Sequence, residues 1–180
     1  MKIRALSGAL VLILGFNAPA HAISDKTWGD ISDLGVYTLL GSSLGVPAVK
    51  GDWEGFRQAS YSLGAAEGFA IIGKSLVHEQ RPDHSDNHSF PSGHASVAFA
   101  SATTLYRRYG WEMGLPAYAL ATVTAGARVA ARKHHWYDVI AGAAIGAATG
   151  WYFTDPINDK VAILPWVDPD AVGVSFAMTW

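Results

Sequence analysis

The segment from Trp136 to Phe153 limits the choice of fold more than any other part of the chain. It has helix length, stops at Asp155-Pro156, and carries Gly142, Ala143, Ala144, Gly146, Ala147, Ala148 and Gly150. Side chains that small let another helix approach closely. The expectation is an all-α bundle in which this helix is clasped by its neighbours.

The rest of the chain supplies those neighbours. Asp52 is a candidate N-cap for a segment from Trp53 to about Gln80. Phe56, Ala59, Tyr61, Leu63, Phe69, Ile72 and Leu76 give that segment a broad apolar stripe, interrupted by Arg57, Glu67 and Lys74. The Arg81-Pro82 step should end it, because a residue before proline avoids the α region. A helix is expected from about Ser92 to Arg108 with Gly110 as its stop, and another from near Pro116 to about Lys133. Leu34 to Val49 is a weaker helical segment, while Ser24 to Asp33 reads as a polar lead-in. About five to six helices result. The tail differs: Val172, Val174, Phe176, Met178 and Trp180 alternate with small or polar residues, as in a half-buried strand. Ala162 to Val167 can pair with it as a short hairpin.

A chain of 180 residues, half of them hydrophobic, reads as one domain with a sizeable core. Residues 1–22 have the pattern of an export signal. Lys2 and Arg4 precede an apolar run from Ala5 to Phe16, and Ala20-His21-Ala22 fits a cleavage site. The domain, residues 23–180, is therefore expected to work outside the cytoplasm. With no cysteine, thiol catalysis, disulfides and thiolate metal sites are excluded. A formal net charge of −2 argues against nucleic acid as a partner. Beyond residue 22, the longest stretches free of charge and histidine are Leu34–Val49 and Val139–Thr154. Both fall short of the roughly 20 residues that span a bilayer. With a mean hydropathy of +0.16, the balance favours a bundle that is soluble or bound at a membrane surface.

Three clusters can carry chemistry. Lys74 and Arg81 are seven residues apart, so one helix would present both on one face. Pro91-Ser92-Gly93-His94 opens an apolar helical run, with Pro91 suited to the first helical position. A helix start of this kind offers free N–H groups and a positive dipole end to a phosphate. In the third cluster, Arg128, His134 and Asp138, the last two are spaced i, i+4. On a helix, Asp138 could fix one ring nitrogen of His134 and leave the other nitrogen's lone pair free. His135, three residues from Asp138, could pair with it equally well. His84 and His88 would make a metal pair only if helical, against which Pro82 and the polar run argue.

In order and spacing, Lys74-x6-Arg81-Pro82, Pro91-Ser92-Gly93-His94 and Arg128-x5-His134-x3-Asp138 resemble the type 2 phosphatidate phosphatase family. That family lies within the acid phosphatase and vanadium haloperoxidase superfamily. The resemblance implies a helical bundle and metal-independent, cofactor-free hydrolysis of a phosphoester through a phosphohistidine. It implies His134 as nucleophile, Asp138 as its orienting carboxylate and His94 as general acid. Lys74, Arg81, Ser92, Gly93 and Arg128 would hold the phosphoryl group. The phrase Ser-Phe-Pro-Ser-Gly-His-Ala-Ser looks most like the lipid-phosphate members, so a phosphatidate, polyprenyl diphosphate or lipid A phosphate is the expected substrate class. The periplasm, or the periplasmic face of a membrane, is the expected location. Ala127 stands where the family usually has serine, and the Pro82 to Pro91 gap is short. An acid phosphatase for small soluble esters, a haloperoxidase and a non-catalytic phosphate-binding envelope protein are the alternatives.

Overall fold

The computed structural model describes residues 23–157, 161–168 and 171–178; the expected export signal lies outside the described residues. Five helices form the bundle: α1 (Asp25–Lys50), α2 (Trp53–Leu76), α3 (Gly93–Tyr109), α4 (Trp111–Ala130) and α5 (Trp136–Phe153). Two strands follow, β1 (Val161–Asp168) and β2 (Ala171–Met178), paired antiparallel from Val161↔Met178 to Asp168↔Ala171. The all-α expectation holds, and the alternating tail forms the hairpin it suggested.

The bundle is organised around α3, which touches all four other helices. Ala95, Ala98, Ala100, Ala102 and Leu105 of α3 are buried. The small residues of α5 meet this helix. A Cβ on Gly142 or Gly146 would run into the carbonyl oxygens of Ser92 and Ser96, and one on Gly150 into Thr103. The core is thus built from close backbone approach more than from large side chains. Dispersion attraction between many closely spaced atoms compensates for their small size.

Several boundaries differ from the sequence expectation. The lead-in is helical: Ser24 caps α1 by accepting from the Thr27 N–H (3.1 Å), and Lys26 pairs with Asp30 one turn on. Helix α2 ends at Leu76, before Arg81-Pro82 is reached, because the chain turns extended at Val77 and Glu79 bridges to His88. Arg81 therefore does not share a helix with Lys74. Ser92, not Pro91, starts α3; its side chain accepts from the Ala95 N–H at 3.4 Å, which places Pro91 outside the helix. Helix α4 begins at Trp111, one turn before Pro116, since Gly110 at φ 85° caps both α3 and α4 and lets the chain reverse there. It ends at Ala130, where the His134 N–H turns back to the Arg128 carbonyl. His134 consequently precedes α5 and is not a helical neighbour of Asp138. Among the described residues no helix is long and apolar enough to cross a membrane.

Candidate active site

A cleft of about 410 Å³ opens between α1 and α2, with the start of α3 as its floor. Lys74, Arg81, Gly93, His94, Arg128 and His134 line it together with Glu67 and the apolar Val36, Tyr37, Leu40, Leu63 and Val97. Six of the eight residues singled out from the sequence thus meet in one cavity, although they come from three distant stretches. The remaining two stand behind it. Asp138 is fully buried beside His134, and the buried Ser92 hydroxyl is occupied in capping α3.

His134 is held by its surroundings in one tautomer. Its Nδ1 lies 2.7 Å from the Ser89 carbonyl, which can only accept, so Nδ1 carries the proton. Nε2 is then left with its lone pair, 3.4 Å from the Arg81 guanidinium. Burial, and then Arg81, Arg128 and Lys74, pushes the imidazole well below its ordinary pKa. These surroundings favour the neutral imidazole.

The carboxylate expected to orient it acts less directly. Asp138 Oδ2 is 3.6 Å from His134 Nδ1, beyond hydrogen-bond length. It accepts instead from the Ser89 hydroxyl (2.5 Å) and the His135 N–H (2.8 Å). Burial alone would raise the Asp138 pKa, but these bonds outweigh it and hold the group below the usual carboxylate value. Asp138 therefore caps α5 and fixes Ser89, and the Ser89 backbone holds the imidazole. The i, i+4 spacing put the two residues side by side, but the direct hydrogen bond it suggested is not formed.

The structure also separates His134 from His135. The His135 ring stacks on Tyr137, with centroids 5.0 Å apart, and its Nδ1 is 3.3 Å from Asp138 and 3.7 Å from Glu79. Glu79, His135 and Asp138 form a group that could hold a metal ion. Glu79 accepts from the Tyr137 hydroxyl and Asp138 Oδ2 from Ser89, while the buried Asp138 Oδ1 has no partner among the described residues. His84 and His88 lie on a non-helical loop, with His84 at φ 60°.

Each of the three cations is held by the protein at its charged end. Lys74 donates to the carbonyls of His88 (2.8 Å) and Pro91 (2.7 Å). Burial and then Arg81 lower its pKa. Arg81 Nε pairs with Asp86 at 2.8 Å, and its NH1 donates to the Lys133 carbonyl at 3.0 Å. Arg128 donates to the Ser32 hydroxyl at 3.1 Å and lies 3.7 Å from Asp33, while its buried Nε has no partner among the described residues. A guanidinium held this way suits a tetrahedral oxyanion, which would complete its hydrogen bonds. At Gly93 a Cβ would stand 3.4 Å from the Glu67 carboxylate, an ordinary van der Waals contact.

Three polar residues that the sequence left unremarked belong here. Ser89 fixes His134 and Asp138, Asp86 braces Arg81, and Asp33 meets His94 Nε2 at 2.8 Å. No local pattern announces them, because each partner is remote along the chain or lies in an irregular loop.

The sequence matches the family described as the PAP2 superfamily over residues 56–161. It is 30% identical over 165 residues to a lipid A 4'-phosphatase of Helicobacter pylori, covering 88% of this chain and 76% of the other. It is 32% identical over 155 residues to a decaprenylphosphoryl-5-phosphoribose phosphatase of Mycobacterium tuberculosis, covering 81% and 83%. The fold is similar to that of LpxE from Aquifex aeolicus (TM-score 0.62, 22% identity, 72% of this chain and 84% of that one). A transmembrane PAP2-type phosphatidylglycerolphosphate phosphatase from Bacillus subtilis is similar at TM-score 0.58 and 20% identity, covering 72% and 74%.

Proposed function

This chain belongs to the PAP2 superfamily, as a member of its lipid-phosphatase type, and from that premise we propose that it removes the terminal phosphate of a lipid phosphate through a phosphohistidine on His134. The observation that carries the reading is the fixed tautomer of His134. Its Nδ1–H is held by the Ser89 carbonyl while Nε2 faces the cleft shared by Lys74, Arg81 and Arg128.

In the proposed reaction the three cations and the start of α3 bind the phosphoryl oxygens and stabilise the charge that grows in the transition state. His134 Nε2 attacks phosphorus, and the bond to the lipid oxygen breaks. His94 delivers a proton to that oxygen, so the alcohol leaves neutral. The now neutral His94 next takes a proton from water, which attacks the phosphohistidine and frees inorganic phosphate. Both histidines return to their starting states. No metal is required, because the guanidinium and ammonium groups supply the positive charge.

The apolar part of the cleft supports a lipid substrate. Val36, Leu40, Leu63 and Val97 line the same cleft as Arg81 and Arg128, so the ester group of a phosphate seated on those arginines has apolar surface to lie against. The lipid A and decaprenyl substrates in the relatives' names agree with that class. The export-like N-terminus supports action in the periplasm or at the periplasmic face of a membrane.

Phosphate release should be measured with phosphatidate, undecaprenyl diphosphate, lipid A and small soluble phosphomonoesters, each with EDTA present. The expected result is preferred release from a lipid phosphate, undiminished by EDTA, with an acid-labile phosphoprotein trapped in the wild type and absent from His134→Ala. Loss of all turnover in chelator would overturn the metal-independent mechanism, and phosphoprotein in His134→Ala would overturn the nucleophile.

A further inference from the structure

Helix α1 ends at Lys50, so all of it lies outside residues 56–161, the span matched by the family. It nevertheless sets two adjacent polar side chains against cleft-lining residues, Arg128 and His94. The buried Ser32 accepts from Arg128, and Asp33 accepts from His94 Nε2 at 2.8 Å. A carboxylate can only accept here, so Nε2 bears the proton and Nδ1 is the nitrogen available to the cleft. Among the described residues Nδ1 has no protein partner.

Resting on the phosphatase reading above, we propose that Asp33 is the positioning residue of the general acid, orienting His94 through Nε2 and supplying the counter-charge for its imidazolium.

The electrostatics of the cleft make such a partner necessary. His94 is faced by Arg128 of α4, by Arg81 of the loop, by Lys74 and Glu67 of α2 and by His134. Burial lowers its pKa first and Arg128 adds to this, with Arg81 contributing the same way, whereas the bond to Asp33 raises it. A group that must donate a proton is therefore set among cations, and Asp33 is the carboxylate that touches it. Asp33 is half exposed, so it can perform this task without the cost of a fully buried charge. Its 3.7 Å approach to Arg128 ties the acid and a phosphate ligand to the same turn of α1.

A leaving group that needs no proton separates this role from a merely structural one. The value of kcat/KM should be measured across pH for wild type, Asp33→Asn, Asp33→Ser and Asp33→Glu. The substrates are a short-chain phosphatidate, whose alkoxide must be protonated, and p-nitrophenyl phosphate, whose phenolate leaves unaided. Asp33→Asn and Asp33→Ser should lose roughly 10- to 100-fold on phosphatidate and less than about threefold on p-nitrophenyl phosphate, within the range ascribed to general acids. The sign of the pH effect follows from the requirement for protonated His94. Removing Asp33 lowers its pKa, so the alkaline limb of kcat/KM moves to lower pH. The substrate's own ionisation is the same in every variant and does not alter that difference. Asp33→Glu should recover much of the wild-type ratio between the two substrates. Equal losses on both substrates, an unmoved alkaline limb, or a gain in activity would overturn the proposal. A wild type that hydrolyses neither substrate would instead remove the phosphatase reading beneath it.

Discussion

At the C-terminal end of α3, Arg108 grips Asp52 with two bonds of 2.6 and 2.8 Å, whereas at the N-terminal end Arg128 keeps a buried Nε with no partner among the described residues. Both ends are charged and largely enclosed, yet they are built for opposite purposes. At the first, the Tyr109 hydroxyl and the Gly55 N–H complete Asp52, Arg107 donates to the Thr154 carbonyl, and Gln58 bonds Asp155 through both its amide atoms. The bond from Arg108 is the largest of the effects that hold Asp52 far below the usual carboxylate range. At the second, three cations and two histidines surround a cleft whose only carboxylate lining among the described residues is Glu67. The helix dipole suits both arrangements, cations at the C-terminus and an anion site at the N-terminus. A closed network stabilises the fold. An open one leaves positive charge for a substrate to complete.

The largest effect should come from the open end. His134→Ala should reduce kcat by roughly 10⁴-fold or more while the protein stays folded by circular dichroism, since a covalent nucleophile has no substitute. A residual rate near wild type would end the contrast at once. Arg128→Gln comes next, with an expected loss of about 10²- to 10³-fold in kcat/KM. Its thermal midpoint should stay level or rise, because the variant removes an incompletely paired buried charge.

Arg108→Gln should behave in the reverse sense. It strands Asp52, which is largely buried, so unfolding free energy should fall by about 3 kcal/mol. The midpoint would drop by roughly 6–12 °C for a domain of this size. Its kcat/KM should remain within about threefold of wild type below the melting range. Should Arg108→Gln and Arg128→Gln show the same balance of stability and activity, the distinction between the two ends would be wrong. The smallest expected effect is a ligand shift. Inorganic phosphate at 100 times its Kd should stabilise the wild type by about 2.7 kcal/mol. At the same phosphate concentration Arg128→Gln should show a much smaller shift in a thermal melt, and Arg108→Gln the full one.

Much of this was legible in the residues, for reasons that differ along the chain. Helices α3 and α5 were found nearly to the residue because their ends carry local chemistry: Ser92 and Gly110 as caps, and Asp155-Pro156 as a stop. The end of α2 was not, because nothing local stops a helix at Leu76. The stop comes from the loop, where His88 and Pro91 carbonyls take the Lys74 ammonium and Glu79 bridges to His88. The motif residues were legible as residue types in a spaced order. The contact of Asp33 with His94 was hidden because nothing in a polar lead-in tells which residue it will meet until α1 is laid against α3.

By itself the sequence determined the raw materials: a helix thin enough to be clasped, a helix start that welcomes an anion, and three cations with two imidazoles to serve it. Only the tertiary structure decided how each was used. It put His134 and not His135 in the lining of the cleft, held its ring by the Ser89 carbonyl and not by Asp138, and left one guanidinium short of partners among the described residues while satisfying another. A buried polar group takes its state from the atoms that surround it. Here those atoms arrive from 45 residues away for His134 and 61 for His94, distances over which local pattern carries no information.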